Sequence, residues 1–185
     1  MGDPQTKPSC SRTVLAGLVV KAGLSDIAAV FNIVQDASAG HFFNSAYTQP
    51  RYQAGLALQL FSVCLLGKIR LPDGSWSRAT LDVVRIDGGA AGFILIRHLD
   101  LAGTRREIYM CAVDLRFQRQ GLGRQLIQWQ LERLADGATL KAQCLPEARP
   151  MKRLLRNLGF EVYKAPSERL IAGAAQSYVF SASKT

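Results

Sequence analysis

Between Arg106 and Leu134 a strand-like run, a glycine-bearing turn and a long amphipathic helix follow one another without interruption. This order confines the chain to folds in which a sheet strand feeds a helix directly. The run Arg106 to Leu115 is rich in strand formers. Strict alternation would set Glu107, Tyr109, Cys111 and Val113 on one face. From Gly121 to Leu134 the apolar positions Leu122, Ile127, Leu131 and Leu134 recur at helical spacing. The turn between them reads Gln118-Arg119-Gln120-Gly121-Leu122-Gly123-Arg124.

A strand-to-helix turn of this composition presents successive backbone N–H groups. The helix end adds partial positive charge, so the segment is suited to phosphate. Glycine lets phosphate oxygens approach the main chain, and Arg116, Arg119 and Arg124 place full charges around it. Two common owners of such a loop fail at named residues. A Walker-type loop requires Gly-Lys-Ser/Thr, where this chain has Arg124-Gln125. A dinucleotide fingerprint requires a third glycine, where Leu126 stands. The pattern that fits is Q/R-x-x-G-x-G/A, from Gln118, Gly121 and Gly123.

The charge distribution points the same way. Of a net +9, residues 105–185 carry +7 and residues 1–104 only +2, so the half containing the loop faces an anionic ligand or partner. Cys10, Cys64, Cys111 and Cys144 are widely spaced, and His41 and His98 lie far apart. This pattern suggests reduced thiols in a cytoplasmic protein and no metal site. No segment is long and apolar enough to suggest a membrane span, and the N-terminus does not read as a secretory signal.

Residues 1–12 read as a flexible lead-in and 13–185 as one domain. Val14 to Val20 predicts a first strand, and Ser25-Asp26 caps a helix through Val34. Asp36 to Pro50 is expected to be irregular, and Tyr52 to Leu66 helical. Leu71 to Gly74 is a turn. Ala79 to Ile86 and Ala91 to Leu99, split by Asp87-Gly88-Gly89, form a hairpin. Thr139 to Leu145 predicts a strand. Pro146 and Pro150 bracket the start of a helix with the stripe Met151, Leu154, Leu155 and Leu158, and Gly159 stops it. Phe160 to Tyr163 and Ser177 to Ser181 are strand-like. The sum is a mixed α/β (α+β) domain.

Taken together, the loop, the helix after it and the later helix ending in Leu158-Gly159-Phe160 resemble the GNAT superfamily of acyl-CoA-dependent N-acetyltransferases. The likeness extends from Val14 to the last strand and is sharpest from Glu107 to Phe160. It implies a single, mostly antiparallel central sheet flanked by helices, with splayed fourth and fifth strands. It also implies acetyl-CoA as co-substrate and no metal. Carried over, Cys111, Ala112 and Val113 face the pantetheine arm. Gln118, Arg119, Gln120, Gly121, Leu122, Gly123 and Arg124 hold the diphosphate.

The strand Glu107-Ile108-Tyr109-Met110-Cys111-Ala112-Val113 is similar to the E-I-x-x-C-A-V strand of the histone acetyltransferase branch, where the glutamate is the general base. An amine of pKa about 10 is mostly protonated near neutrality, so a carboxylate that removes its proton is needed. Burial on an apolar face would raise the pKa of Glu107 towards that task, whereas a pairing with Arg105 or Arg106 would make it structural. A backbone N–H near Cys111 or Ala112 is suited to the developing oxyanion. The chain departs from the family at the usual general acid: Leu155 replaces the tyrosine and Ala148 an upstream asparagine. Tyr109, Tyr163 and Cys144 are the candidate substitutes. Cys111 as a nucleophile lacks a nearby histidine, which favours direct transfer.

The acceptor is expected to be a primary amine: a lysine side chain, an N-terminus or a small molecule. It would be selected by Asp36 to Pro50, including His41, Phe42, Phe43 and Tyr47, and by Ala165 to Gln176. The charge excess also admits an acidic or nucleic-acid partner such as an aminoacyl-tRNA. An inactive CoA-binding sensor is the third reading, and the resemblance brings a homodimer into consideration.

Overall fold

In a computed structural model the residues described are 17–40, 43, 45–145, 147–162 and 178–184. The lead-in, the start of the first predicted strand, Cys10, His41, Phe42, Pro146, Tyr163 and residues 165–176 lie outside them. The chain runs β1 (Leu18–Lys21), α1 (Ile27–Ala39), α2 (Pro50–Leu66), β2 (Lys68–Arg70), β3 (Trp76–Ile86), β4 (Gly89–His98) and β5 (Arg105–Val113). It continues through α3 (Leu122–Glu132), β6 (Thr139–Cys144), α4 (Arg149–Asn157), β7 (Glu161–Val162) and β8 (Tyr178–Ser183).

These strands form a sheet in the order β1-β3-β4-β5-β6-β8-β7, with β2 paired to β3. Every pairing is antiparallel except β5 with β6. The β3–β4 hairpin closes on Asp87 and Gly88, both at positive φ (49° and 81°), the conformation that a two-residue turn between right-twisted strands demands.

Each face of the sheet carries its own core. Val30, Ile33 and Val34 of α1 and Leu56, Leu60 and Val63 of α2 pack on one side against Leu81, Val83, Phe93 and Leu95. Leu122, Leu126 and Ile127 of α3 and Leu155 of α4 pack on the other against Ile94, Ile96, Leu140 and Phe180. Pro50 begins α2 and Gly67, at φ 62°, ends it. The first helix runs five residues beyond its expected end at Val34, because Ser38 is buried on the same face and extends the stripe.

Two polar ties fix α3 over the sheet. The Gln130 amide donates to Asp82 Oδ2 at 2.6 Å, and the Gln125 side chain both donates to and accepts from the backbone of Gly17. A Cβ at Gly17 would lie 2.3 Å from Val84 Cγ2 and 3.1 Å from Arg85 O. Gly17→Ala is therefore expected to cost about 1–3 kcal/mol, read as a Tm lower by roughly 2–10 °C in a thermal melt.

Candidate active site

The parallel pairing of β5 with β6 begins at Arg105 opposite Thr139 and ends at Ile108 opposite Ala142. Among the described residues, β5 from Tyr109 to Val113 is paired only to β4, while β6 continues to Cys144 against β8. The strands therefore part, and a wedge opens whose one wall is the free backbone edge of β5. The Asp114 N–H bonds to Ala91 O of the β4 side at 2.9 Å. By alternation the amides of Ala112 and Met110 also turn to β4, and those of Cys111 and Val113 turn into the wedge. Of the two amides considered for the oxyanion, Cys111 faces the opening and Ala112 does not.

The single face expected for Glu107, Tyr109, Cys111 and Val113 is not what forms. The β4–β5 register shifts between Leu95 and Ile96, leaving Tyr109 as the extra residue of a bulge. One inserted residue reverses the alternation beyond it. Cys111 and Val113 consequently join Ile108 on the α3/α4 side, while Tyr109, Met110 and Ala112 pack on the α1/α2 side.

Glu107 stands one residue before the last paired position of the wedge. Its carboxylate meets the Arg97 guanidinium at 2.9 Å, across the Arg97–Glu107 register of β4 and β5. The side chain thus faces a cation from β4 rather than a wholly apolar surface. In the sequence Arg97 is only an opposite charge placed on the far side of the connection between β4 and β5 from Glu107. Tyr47, on a 3-10 turn before α2, and Tyr109 pack against the same core, and Phe43 joins them. Burial pushes Tyr47 up to about 12, with the neighbouring Tyr109 adding to it. Tyr109 is also raised, chiefly by burial.

Beyond β5 the backbone forms the glycine-bearing turn that leads into α3. Asp114 caps a 3-10 turn over Leu115–Phe117 and holds Arg116 in an ion pair at 2.6 Å. That bond keeps the Asp114 carboxyl below the usual carboxylate range. Arg116 is thereby engaged with Asp114, leaving Arg119 and Arg124 as the exposed cations of the turn itself. The Gln118 side chain folds back to donate to Val113 O at 3.2 Å, so it braces the wedge. Arg119 (φ 62°) and Gly121 (φ 92°) both adopt left-handed backbone. α3 starts at Leu122 with no side-chain cap on Gly121, and its first α-helical bond is Gln125 N–H to Gly121 O at 3.0 Å. The amides of Leu122, Gly123 and Arg124 precede that bond and have no acceptor within the helix.

Residues 41–160 match the model of the acetyltransferase (GNAT) family. The chain belongs to that family.

Solved structures of GNAT proteins share its fold at low identity. A histone acetyltransferase HPA2 and related acetyltransferase from Corynebacterium glutamicum is 14% identical (TM-score 0.67, covering 92% of this chain and 98% of that one). The PaiA N-acetyltransferase of Thermoplasma acidophilum, in complex with coenzyme A, is 9% identical (TM-score 0.63, 91% and 99%). An acetyltransferase of the GNAT family from Bacillus cereus is 15% identical (TM-score 0.60, 92% and 99%). No curated protein sequence matches the chain.

Leu155 and Ala148, which the resemblance sets where the family has a tyrosine and an upstream asparagine, are both buried in the α3/α4 core. Cys144 ends β6 on the far wall of the wedge. Burial pushes it up to about 12, and Cys111 likewise, with the Cys144 charge as the second cause. Both thiols are thus held neutral near physiological pH. We expect neither to react with a disulfide reagent at pH 8 in the folded protein and both to react at once in denaturant. Their folded values lie above the ordinary thiol value of about 8.5. The linked stability is fully present below that pH and is lost as pH rises from there towards 12.

Among the described residues no group of His, Cys, Asp and Glu is arranged to hold a metal, and no helix is long and apolar enough to cross a membrane.

Proposed function

We propose that this GNAT protein transfers an acetyl group from acetyl-CoA to a primary amine by direct attack, with Glu107 as the general base. The observation that carries the reading is the wedge: a free β5 edge whose Cys111 and Val113 amides point inward, ending at the uncapped N-terminus of α3. An extended pantetheine arm hydrogen-bonds to such an edge as an added strand would. The diphosphate then meets the free amides of Leu122 to Arg124, with Arg119 and Arg124 adding charge. In this arrangement the thioester lies towards the closed end of the wedge, near Tyr109. The Cys111 N–H is suited to the carbonyl oxygen as charge develops on it.

Glu107 reaches the same end from the α1/α2 side, where Tyr47, Phe43 and Tyr109 form an aromatic wall for the acceptor. The amine loses its proton to the carboxylate and its lone pair attacks the thioester carbon. Collapse of the tetrahedral intermediate breaks the C–S bond and expels the CoA thiolate, which takes the proton remaining on the attacking nitrogen, leaving the neutral amide and CoA thiol. That leaving group, of pKa about 8.5, needs no strong acid. Cys144, at about 12, holds its proton more tightly than the departing thiol would and makes a poor donor. The neutral, buried Cys111 thiol likewise favours direct transfer over an acyl-enzyme.

The test is thiol release from acetyl-CoA with a panel of primary amines, alongside calorimetric CoA binding. Binding together with amine-dependent release is the expected result. Binding with no release for any amine would convert the reading into that of a sensor. A steep fall of turnover with salt would redirect the acceptor search to nucleic-acid-linked amines.

A further inference from the structure

Glu107 is the middle charge of a row that crosses β4, β5 and β6. Arg97 stands in register with it on one side and Lys141 on the other, so the three side chains leave the same face of the sheet. The Arg97 guanidinium meets the carboxylate at 2.9 Å, with both side chains largely withdrawn from water. Arg105, two residues before Glu107, follows on that face by alternation and is exposed. No second carboxylate on these strands balances the cations, because β4, β5 and β6 contain no Asp or Glu apart from Glu107. The next on the row is Glu161 of β7, reached through Ser181 of β8 and about 14 Å away at strand spacing. From the turn before β3, Asp73 is held below the usual carboxylate range chiefly by its bonds to Ser75, with the Arg97 charge adding to them. Tyr47 and Tyr109 are raised by burial and contribute no negative charge near neutrality.

We propose that Arg97 and Lys141 determine the choice of acceptor, and that the acceptor is an amine of low basicity, an α-amino group rather than a lysine side chain. The inference rests on Glu107 being the base. A carboxylate set between cations stays ionised and has little tendency to take up a further proton. The same cations make the surroundings of Glu107 net positive, which disfavours the approach of an ammonium ion.

Such a base serves a nucleophile that gives up its proton easily. An α-amino group, of pKa about 7.7–8.0, is roughly one-third free at about pH 7.5, whereas a lysine amine, at about 10.4, is free to roughly one part in a thousand. A carboxylate in an apolar pocket, with its proton affinity raised, is suited to the second task. Glu107, paired with Arg97 and flanked by Lys141, is suited to the first.

Two small acceptors test this with acetyl-CoA: a dipeptide amide with a free α-amino group and no lysine, and Nα-acetyl-lysine amide. At about pH 7.5 the wild type is expected to favour the α-amine at least about thirtyfold in kcat/KM. Arg97→Gln should narrow that ratio at least about threefold by making Glu107 a stronger base, whereas Arg97→Lys, which keeps the charge, should hold it. Lys141→Gln should narrow it as well, and it carries the test if Arg97→Gln does not fold. Use of the lysine compound as well as the α-amine, or turnover of neither, overturns the proposal. A ratio that neither neutral variant moves overturns it too. Glu107→Gln separates the two levels of the argument. Full activity in that variant removes the base and the proposal together. Lost activity there, with the ratio fixed in Arg97→Gln and Lys141→Gln, removes the proposal alone.

Discussion

Glu107→Gln is expected to lower kcat by roughly 10²–10⁴-fold, the range for removal of a positioned general base, while acetyl-CoA binding stays at the wild-type value. The substitution keeps size and hydrogen-bonding capacity and removes only the ability to take a proton. Glu107 lies at the closed end of the wedge, away from the diphosphate turn, so its loss should not reach cofactor affinity. The Arg97 contact supplies a control. The contact at 2.9 Å is an ion pair, which glutamine weakens without changing side-chain size, so a purely structural role for the pair predicts a modest fall in both Tm and kcat. Arg97→Gln leaves the carboxylate in place and should cost far less activity than Glu107→Gln. Glutamine retaining more than about a tenth of wild-type kcat at saturating amine would remove Glu107 from the mechanism. Raising the pH supplies more free amine. It should therefore narrow the gap between wild type and Glu107→Gln, which a structural role for the pair would not do.

How far the site was legible in the sequence depended on whether each feature was local. The Gln118–Arg124 turn and the helix after it are written in consecutive residues, and the Asp87-Gly88 hairpin needs only its own backbone angles. The order of elements, read together with the family resemblance, gave the sheet and its splay. What escaped was relational. The bulge at Tyr109 arises from the mismatch of β4 and β5, a property of two strands, and it moved Cys111 and Val113 to the opposite face from Glu107. The Arg97–Glu107 contact depends on the same register. The pairing of Arg116 with Asp114 was also missed, because a basic residue near a phosphate turn reads as a ligand until its neighbour is seen to hold it. Gly121 and Gly123 stand alike in the sequence motif, and the structure gives them different roles: only Gly121 of the two has a positive φ.

Gly121→Ala should weaken acetyl-CoA binding about 5- to 30-fold, whereas Gly123→Ala should leave it nearly unchanged. Gly121 has φ 92°, a left-handed conformation that places a Cβ against its own backbone at a cost of roughly 1–2 kcal/mol. If the turn relaxes to avoid that strain, the amides of Leu122 to Arg124 rotate off their common target, and affinity falls by the free energy no longer realised there. If the turn does not relax, the strain appears as a lower Tm instead. Measuring both quantities on one variant therefore accounts for the whole cost. Gly123 differs, because a Cβ there would sit 3.5 Å from Leu154 Cδ2 and 3.8 Å from Val113 Cγ2, ordinary contact distances on the α4 side of the helix. The methyl group fills space beside α4, and alanine is the better residue in a helical turn. Equal losses of affinity in the two variants would mean that the diphosphate approaches the Cβ side of Gly123, and the helix-end cradle would then have to be rebuilt around a different set of amides.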